Sequence, residues 1–123
     1  MSIKLIKISA VYFGIGALMG MFMSMTHNFS LTPVHAHLNL LGWTALTLAG
    51  IIYHLFPKAA ESTLAKIHFW GHNIGLPIMM LALVLVVYGH EQFLLCISIG
   101  ATITVISILL FVINILKNVN APE

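Results

Sequence analysis

Four long apolar runs leave this chain few ways to fold. Each is roughly 18 to 25 residues long, which is enough for a helix to cross a lipid bilayer. The runs extend over about Leu5 to Met25, Val34 to Phe56, Ala65 to Tyr88 and Phe93 to Leu116. Because the connectors between them are short, neighbouring spans must lie antiparallel. The sequence therefore predicts an all-α fold, a bundle of four transmembrane helices that forms one domain over residues 1–123.

Charge and hydropathy exclude most other classes of protein. Only lysine and glutamate residues are charged, and the net charge of +2 is too small to indicate a nucleic-acid binder. Hydrophobic residues make up 60% of the chain and the mean hydropathy is +1.06, so neither a water-soluble globular fold nor a disordered chain fits. The lone cysteine, Cys96, lies inside an apolar run and excludes an intramolecular disulfide or a cysteine metal cage.

The lysine residues predict how the bundle lies in the membrane. They occur before the first run, around the second connector and after the last run, as Lys4, Lys7, Lys58, Lys66 and Lys117. In an antiparallel bundle all five fall on one side, and lysine-rich segments stay in the cytoplasm. We therefore expect a multi-pass protein of a bacterial-type inner membrane, embedded in the lipid bilayer, with both termini in the cytoplasm.

Seven histidine residues are the strongest candidates for chemistry in so apolar a chain. His37 and His54 are 17 residues apart, roughly 25 Å along a helix, so they cannot share one ligand. The histidines therefore divide into an outer group, His27, His35, His37 and His90, and a cytoplasmic group, His54, His68 and His72. Together with Tyr53 and Trp70, the cytoplasmic group is a candidate quinol or proton-relay site.

Spacing within each group limits what the histidines can bind. His35 and His37 are separated by about 200° around a helix, so one small metal ion cannot bind both. They can serve two ligands on opposite sides of the helix, or two neighbouring subunits. His68 and His72 share a helix face, which suits a chelating or hydrogen-bonding pair. With His54, they are also candidate metal ligands.

A methionine-rich string at the end of the first run offers a second kind of metal site. It reads Met19-Gly-Met21-Phe-Met23-Ser-Met25-Thr-His27. Residues four apart share a helix face, and thioether and imidazole groups suit Cu(I), so Met23 and His27 are candidate copper ligands. Methionine is also a pliable apolar filler that packs against lipid or flat cofactors. The string predicts, as an alternative function, a copper-binding or copper-handling membrane protein.

Two stretches of the sequence resemble consecutive helices of a known family. The first is His35-Ala-His37-Leu-Asn-Leu-Leu-Gly42-Trp43, which continues to Gly50, Tyr53 and Pro57. The second is His68-Phe69-Trp70, followed by Gly75 and Met79. Together they resemble the catalytic subunit I of the haem–copper oxidase superfamily, in particular C-type cytochrome c oxidases and, more loosely, nitric oxide reductases. The resemblance covers the second and third runs.

The resemblance implies a haem protein. In that family the first histidine of the pair binds a high-spin haem and the second a low-spin haem. His35 and His37 are therefore candidate axial ligands to the iron of a b-type haem. Gly42 would let the flat ring approach the backbone, and Trp43 completes the motif as a candidate cofactor-binding residue. Two histidines on one iron favour electron transport with a quinol or a cytochrome as redox partner, whereas one leaves a position open for oxygen or nitric oxide.

The chain also departs from the family. The full subunit has about twelve helices in three pseudo-equivalent groups of four, and this chain is the size of one group. Helices matching the copper-binding histidines and the active-site tyrosine are missing, so a single subunit is not expected to reduce oxygen or nitric oxide, although oxidoreductase chemistry fits. Three copies in a ring, a homotrimer, would each supply a second helix. A structural accessory subunit with inert histidines is a further alternative.

Overall fold

Four long helices make up almost the whole protein. The structure, a computed structural model, describes residues 1–122, which form helices and no strand. The helices long and apolar enough to cross a membrane are α1 (Ser2–Thr26), α2 (Thr32–Leu55), α3 (Thr63–Val87) and α4 (Leu94–Asn118). The predicted all-α fold with four membrane-spanning helices is therefore confirmed.

Short turns join the helices. His27 ends α1 in the left-handed conformation, with φ at 51°. A single helical turn, Pro57–Ala60, connects α2 to α3, and Ser62 then caps α3 by accepting the Ala65 backbone N–H at 3.1 Å. One 3-10 turn, Glu91–Phe93, precedes α4. Connectors this short leave the helices antiparallel to their chain neighbours.

The antiparallel arrangement gathers the lysine residues at one end of the bundle. The beginnings of α1 and α3 and the final turns of α2 and α4 lie there, and the Asn114 side chain donates to the Ala59 carbonyl across that end. We call it the lysine end; it carries Lys4, Lys7, Lys58, Lys66 and Lys117. The opposite end carries His27, His35, His37 and His90.

The helices pack as two pairs, α1 with α2 and α3 with α4. Between α3 and α4 the backbones come very close. A Cβ atom on Gly75 would lie 2.9 Å from the Gly100 carbonyl oxygen, and one on Gly100 would lie 2.6 Å from the Met79 nitrogen. Small residues allow this approach in a membrane, where close packing rather than exclusion of water holds helices together. Between α1 and α2, Thr47 donates a hydrogen bond of 2.8 Å to Ser9.

Two buried apolar clusters fill the space between the helices. The cluster nearer the lysine end contains Leu5, Leu46, Ala49, Tyr53, Ala59 and Ala65, and the other contains Val34, Leu38, Leu76, Met79 and Met80. The outer surface is also apolar: Leu116 is 79% exposed and Leu95 is 70% exposed. Lipid tails are as apolar as leucine, so a bundle embedded in a bilayer presents this kind of surface.

Helix α2 contains an irregularity that the apolar pattern does not predict. Its middle part, Leu38–Thr44, is π-helical and lies between the α-helical parts Thr32–His37 and Ala45–Leu55. Single π turns are rare and occur frequently at functional sites. This π segment begins directly after the His35-Ala-His37 motif.

Candidate functional site

His37 is exposed near the start of α2, and its ring has one nitrogen free. The Nδ1 atom lies 2.6 Å from the Pro33 carbonyl oxygen, four residues earlier. A carbonyl oxygen can only accept, so Nδ1 must be the protonated donor, and in the neutral ring Nε2 keeps its lone pair. Metal-binding histidines commonly have one ring N–H held by a backbone carbonyl, which fixes the tautomer and the ring orientation. His37 therefore has the ring arrangement that is common among metal-binding histidines, and its role as a haem ligand stays a prediction.

His35 lies on a different side of α2 and is covered within the chain. It is half-buried against α1, where a Cβ atom on Gly20 would come within 3.0 Å of its Cε1 atom. The side-chain amide of Asn39 lies 3.3 Å from His35 Nε2. The two histidines thus face different surroundings, as expected from their separation around the helix. Of these two histidines, only His37 presents an exposed ring nitrogen without a partner among residues 1–122.

Gly42 and Trp43, the other residues of the motif, both contact α1. Gly42 is buried, and a Cβ atom at this position would come within 2.8 Å of Tyr12 Cβ. The Trp43 ring stacks on Phe13, with ring centroids 4.6 Å apart and an interplanar angle of 27°. Within one chain, the absence of a side chain at Gly42 therefore allows α1 to pack closely against α2. A role for these two residues beside a haem stays a prediction.

A second group of polar side chains is buried between α2 and α3. The Tyr53 hydroxyl lies 2.9 Å from His68 Nδ1, and both side chains are almost fully buried. The His68 and His72 rings meet edge to face, with centroids 5.4 Å apart. His54 and Trp70, which the sequence grouped with them, are exposed. Of the predicted quinol or proton-relay site, the structure thus brings together Tyr53, His68 and His72 only.

His72 is bonded to the backbone of the π segment. Its Nε2 atom lies 2.9 Å from the Leu41 carbonyl oxygen, so Nε2 carries the proton and donates it. The other ring nitrogen, Nδ1, is buried and has no hydrogen-bond partner within residues 1–122. His72 is 1% exposed, so water does not reach it from outside the bundle. This bond ties α3 to the part of α2 that follows the His35-Ala-His37 motif.

An asparagine that the sequence reading passed over closes the buried group at the lysine end. Asn114 is fully buried, donates to the Ala59 carbonyl at 3.0 Å and accepts from Asn118 at 2.7 Å. Phe111, one turn before Asn114, lies against His68 with a centroid distance of 4.7 Å. A lone asparagine inside an apolar run is a signal that could have identified this contact, because polar side chains in spans usually bond to neighbouring helices.

The methionine string does not face one side. Met23 is 5% exposed, whereas Met21 is 57% and Met25 is 73% exposed. His27 and His90 lie exposed in the connectors at the end opposite the lysine residues. Within residues 1–122, no three histidine, cysteine, aspartate or glutamate side chains are grouped to hold a metal ion. Copper binding by Met23 and His27 stays a prediction.

Comparison with known proteins supports the resemblance at a coarse level. The chain is 28% identical over 85 residues to the Cbb3-type cytochrome c oxidase subunit CcoN1 of Stutzerimonas stutzeri. The match covers 59% of this chain but only 18% of the relative. No protein family model matches the chain, and no solved structure does. The chain is therefore a multi-pass membrane protein similar to a fragment of a haem–copper oxidase subunit I.

Proposed function

We propose that this protein binds a b-type haem through His37 and uses it for electron transport or for binding oxygen or nitric oxide. The observation that carries the proposal is the His37 ring, with Nδ1 held by the Pro33 carbonyl and Nε2 exposed. The similarity to an oxidase subunit points to the same cofactor class. A bound haem would supply an iron centre that accepts and releases single electrons or binds a diatomic gas.

The residues present fit one axial ligand from each chain. His37 is exposed, and its Nε2 atom keeps a lone pair that an iron atom can accept. His35 is the second candidate, but it must leave Gly20 and Asn39 before it can reach an iron atom. A single chain therefore favours one histidine on the iron. A haem held this way would leave its iron able to bind a gas or a histidine of a second copy.

A second copy also accounts for where His37 lies. Its ring is on the surface of one chain, so a flat cofactor bound there would have one face toward lipid or toward a neighbouring subunit. We propose that another copy of this chain covers that face. Three copies in a ring would supply twelve helices, about the number in the superfamily subunit that the chain resembles. The homotrimer would accept electrons from a quinol or a cytochrome.

The five lysine residues support a cytoplasmic location for the lysine end. The haem would then lie near the outer surface of a bacterial-type inner membrane, within reach of a quinol in the bilayer or a cytochrome outside it.

The test is to produce the protein with ample haem supply and to record a reduced-minus-oxidised spectrum with and without carbon monoxide. We expect a Soret band in the wild type and its loss in His37→Ala. His54→Ala is the matched control, since His54 is exposed at the other end of the same helix, and it should keep the band. A carbon monoxide shift would indicate an open iron position, and native mass spectrometry would give the copies per haem. A colourless wild type, or a His37→Ala variant with full haem, would refute the proposal.

A further inference from the structure

The π segment of α2 decides which way the His35-Ala-His37 motif faces. A π turn holds about one residue more than an α turn, and each residue of an α-helix advances about 100° around the axis. The part of α2 before the π segment, Thr32–His37, is therefore rotated by about 100° relative to its direction in a continuous α-helix. Without this rotation, His35 would not face Gly20 and His37 would not hold its exposed position.

The π segment also leaves one carbonyl group in need of a partner. The Ala45 N–H donates to the Leu40 carbonyl, five residues back, whereas bonds in Ala45–Leu55 reach four residues back. Where bonds that reach five residues back give way to bonds that reach four residues back, one backbone carbonyl receives no N–H from its own helix. Leu41 lies at this junction, and its carbonyl accepts the His72 N–H at 2.9 Å. In a regular α-helix the Ala45 N–H would occupy the Leu41 carbonyl instead, and the buried His72 N–H would lose its partner.

The rest of α2 is held independently. Tyr53 meets His68 of α3, and Thr47 bonds to Ser9 of α1, both in the part of the helix after the π segment. If the π turn were lost, these contacts would keep the later part in place and the earlier part would rotate. A change at His72 would therefore be transmitted to His35 and His37 rather than to the lysine end.

We propose that His72 is a positioning residue for the haem site: its N–H keeps α2 in the π register that points His37 outward and turns His35 toward α1. The part of this inference that concerns haem rests on the proposed function, whereas the part that concerns the direction of the motif does not. The proposal gives a role to a histidine that is almost fully buried inside the bundle.

The test uses haem-free protein and measures which way the His35-Ala-His37 motif faces. In a Cys96→Ser background, single cysteines at positions 35 and 37 are labelled with a maleimide in detergent. In the π register, position 37 is exposed and position 35 is half-buried, so labelling should favour position 37 by about tenfold. In His72→Leu this ratio should fall to about one. His72→Gln keeps a donor of similar reach and should restore the ratio, and His68→Leu should leave it unchanged.

A deletion variant tests whether the hydrogen-bond register of α2 is what sets the labelling ratio. Leu40 lies in the π segment and is 63% exposed, so its removal costs little packing. Deleting Leu40 removes the one additional residue that the π turn accommodates. A regular α-helix in the shortened chain then points the His35-Ala-His37 motif in the same direction as in the wild type. The deletion should therefore restore the labelling ratio in His72→Leu. If His72→Leu alone does not fold, the deletion can be measured in the protein that keeps His72. We expect the labelling ratio to be unchanged there too.

Two results would overturn the inference. One is an unchanged ratio in folded His72→Leu, and the other is a deletion that fails to restore the ratio. Haem spectra of the same variants separate this outcome from the proposed function. If the wild type binds no haem but the ratio responds to His72 as expected, the proposed function fails and the positioning role of His72 stands.

Discussion

His37 and His72 use the same chemistry for opposite purposes. Each donates one ring N–H to a backbone carbonyl and has its other ring nitrogen without a partner. For His37 the carbonyl is four residues away on the same helix, and the ring is exposed. For His72 the carbonyl is Leu41, on another helix and 31 residues away, and the ring is buried. The first arrangement prepares a ligand, and the second joins two helices.

The difference shows that the effect of a hydrogen bond depends on how far apart its two residues lie in the sequence. A bond within one turn orients a side chain but adds little to the contact between helices. A bond between distant residues restricts the relative position of two helices, and in a buried site its loss leaves a polar group without water or partner. We therefore expect variants of the two histidines to fail in different ways. One measurement compares them directly, and two more test the contacts around them.

The largest effect on stability is expected for His72→Leu. This variant either leaves the Leu41 carbonyl unpaired or straightens α2 and disturbs its contact with α1. Either loss should lower the free energy of unfolding by about 1–3 kcal/mol. The exposed control, His37→Leu, should change it by less than about 0.5 kcal/mol. Unfolding of haem-free protein by sodium dodecyl sulfate in mixed micelles measures both. Equal losses in the two variants would remove the distinction between them.

A smaller effect is expected for Tyr53→Phe, which removes the hydroxyl that meets His68 but keeps the ring against Phe111. Hydrogen bonds between membrane helices contribute about 0.6 kcal/mol on average and up to about 1.7 kcal/mol. We expect a loss of unfolding free energy in this range in the same titration. Tyr88→Phe, at an exposed tyrosine, is the control and should behave as the wild type. No loss at Tyr53 would mean that α2 and α3 are joined by His72 without this second bond.

The smallest effect is expected for Gly20→Ala. The new methyl group would lie 3.0 Å from His35 Cε1, which is tight, so the imidazole must shift slightly. Nuclear magnetic resonance of the histidine side chains should show shifted His35 signals and unchanged His37 signals. Gly14→Ala is the control, because a Cβ atom there meets nothing within 4 Å. A change at His37 instead would show that the two sides of α2 are not independent.

The sequence predicted the architecture well, because the lipid bilayer restricts which structures an apolar run can form. A helix of about 20 residues is the form in which an apolar run satisfies its own backbone in lipid, so the length of each run was enough to predict α1 to α4. The antiparallel order then gathered the lysine residues at one end. The spacing of His35 and His37 was likewise enough to predict that they face different sides, because both lie in the α-helical part Thr32–His37, where each residue advances about 100°.

Contacts between distant residues decided the rest. The sequence grouped His54, Tyr53 and Trp70 with the histidines His68 and His72. The fold buried only Tyr53 with these two histidines and left His54 and Trp70 exposed. It treated α2 as one regular span, whereas a carbonyl at Leu41 and a donor at His72 stabilise a π turn there. Which histidine keeps a free nitrogen also depends on what α1 covers. A local pattern contains residue order but not the partners that folding brings from other helices, so only the tertiary structure could distinguish His37 from His35.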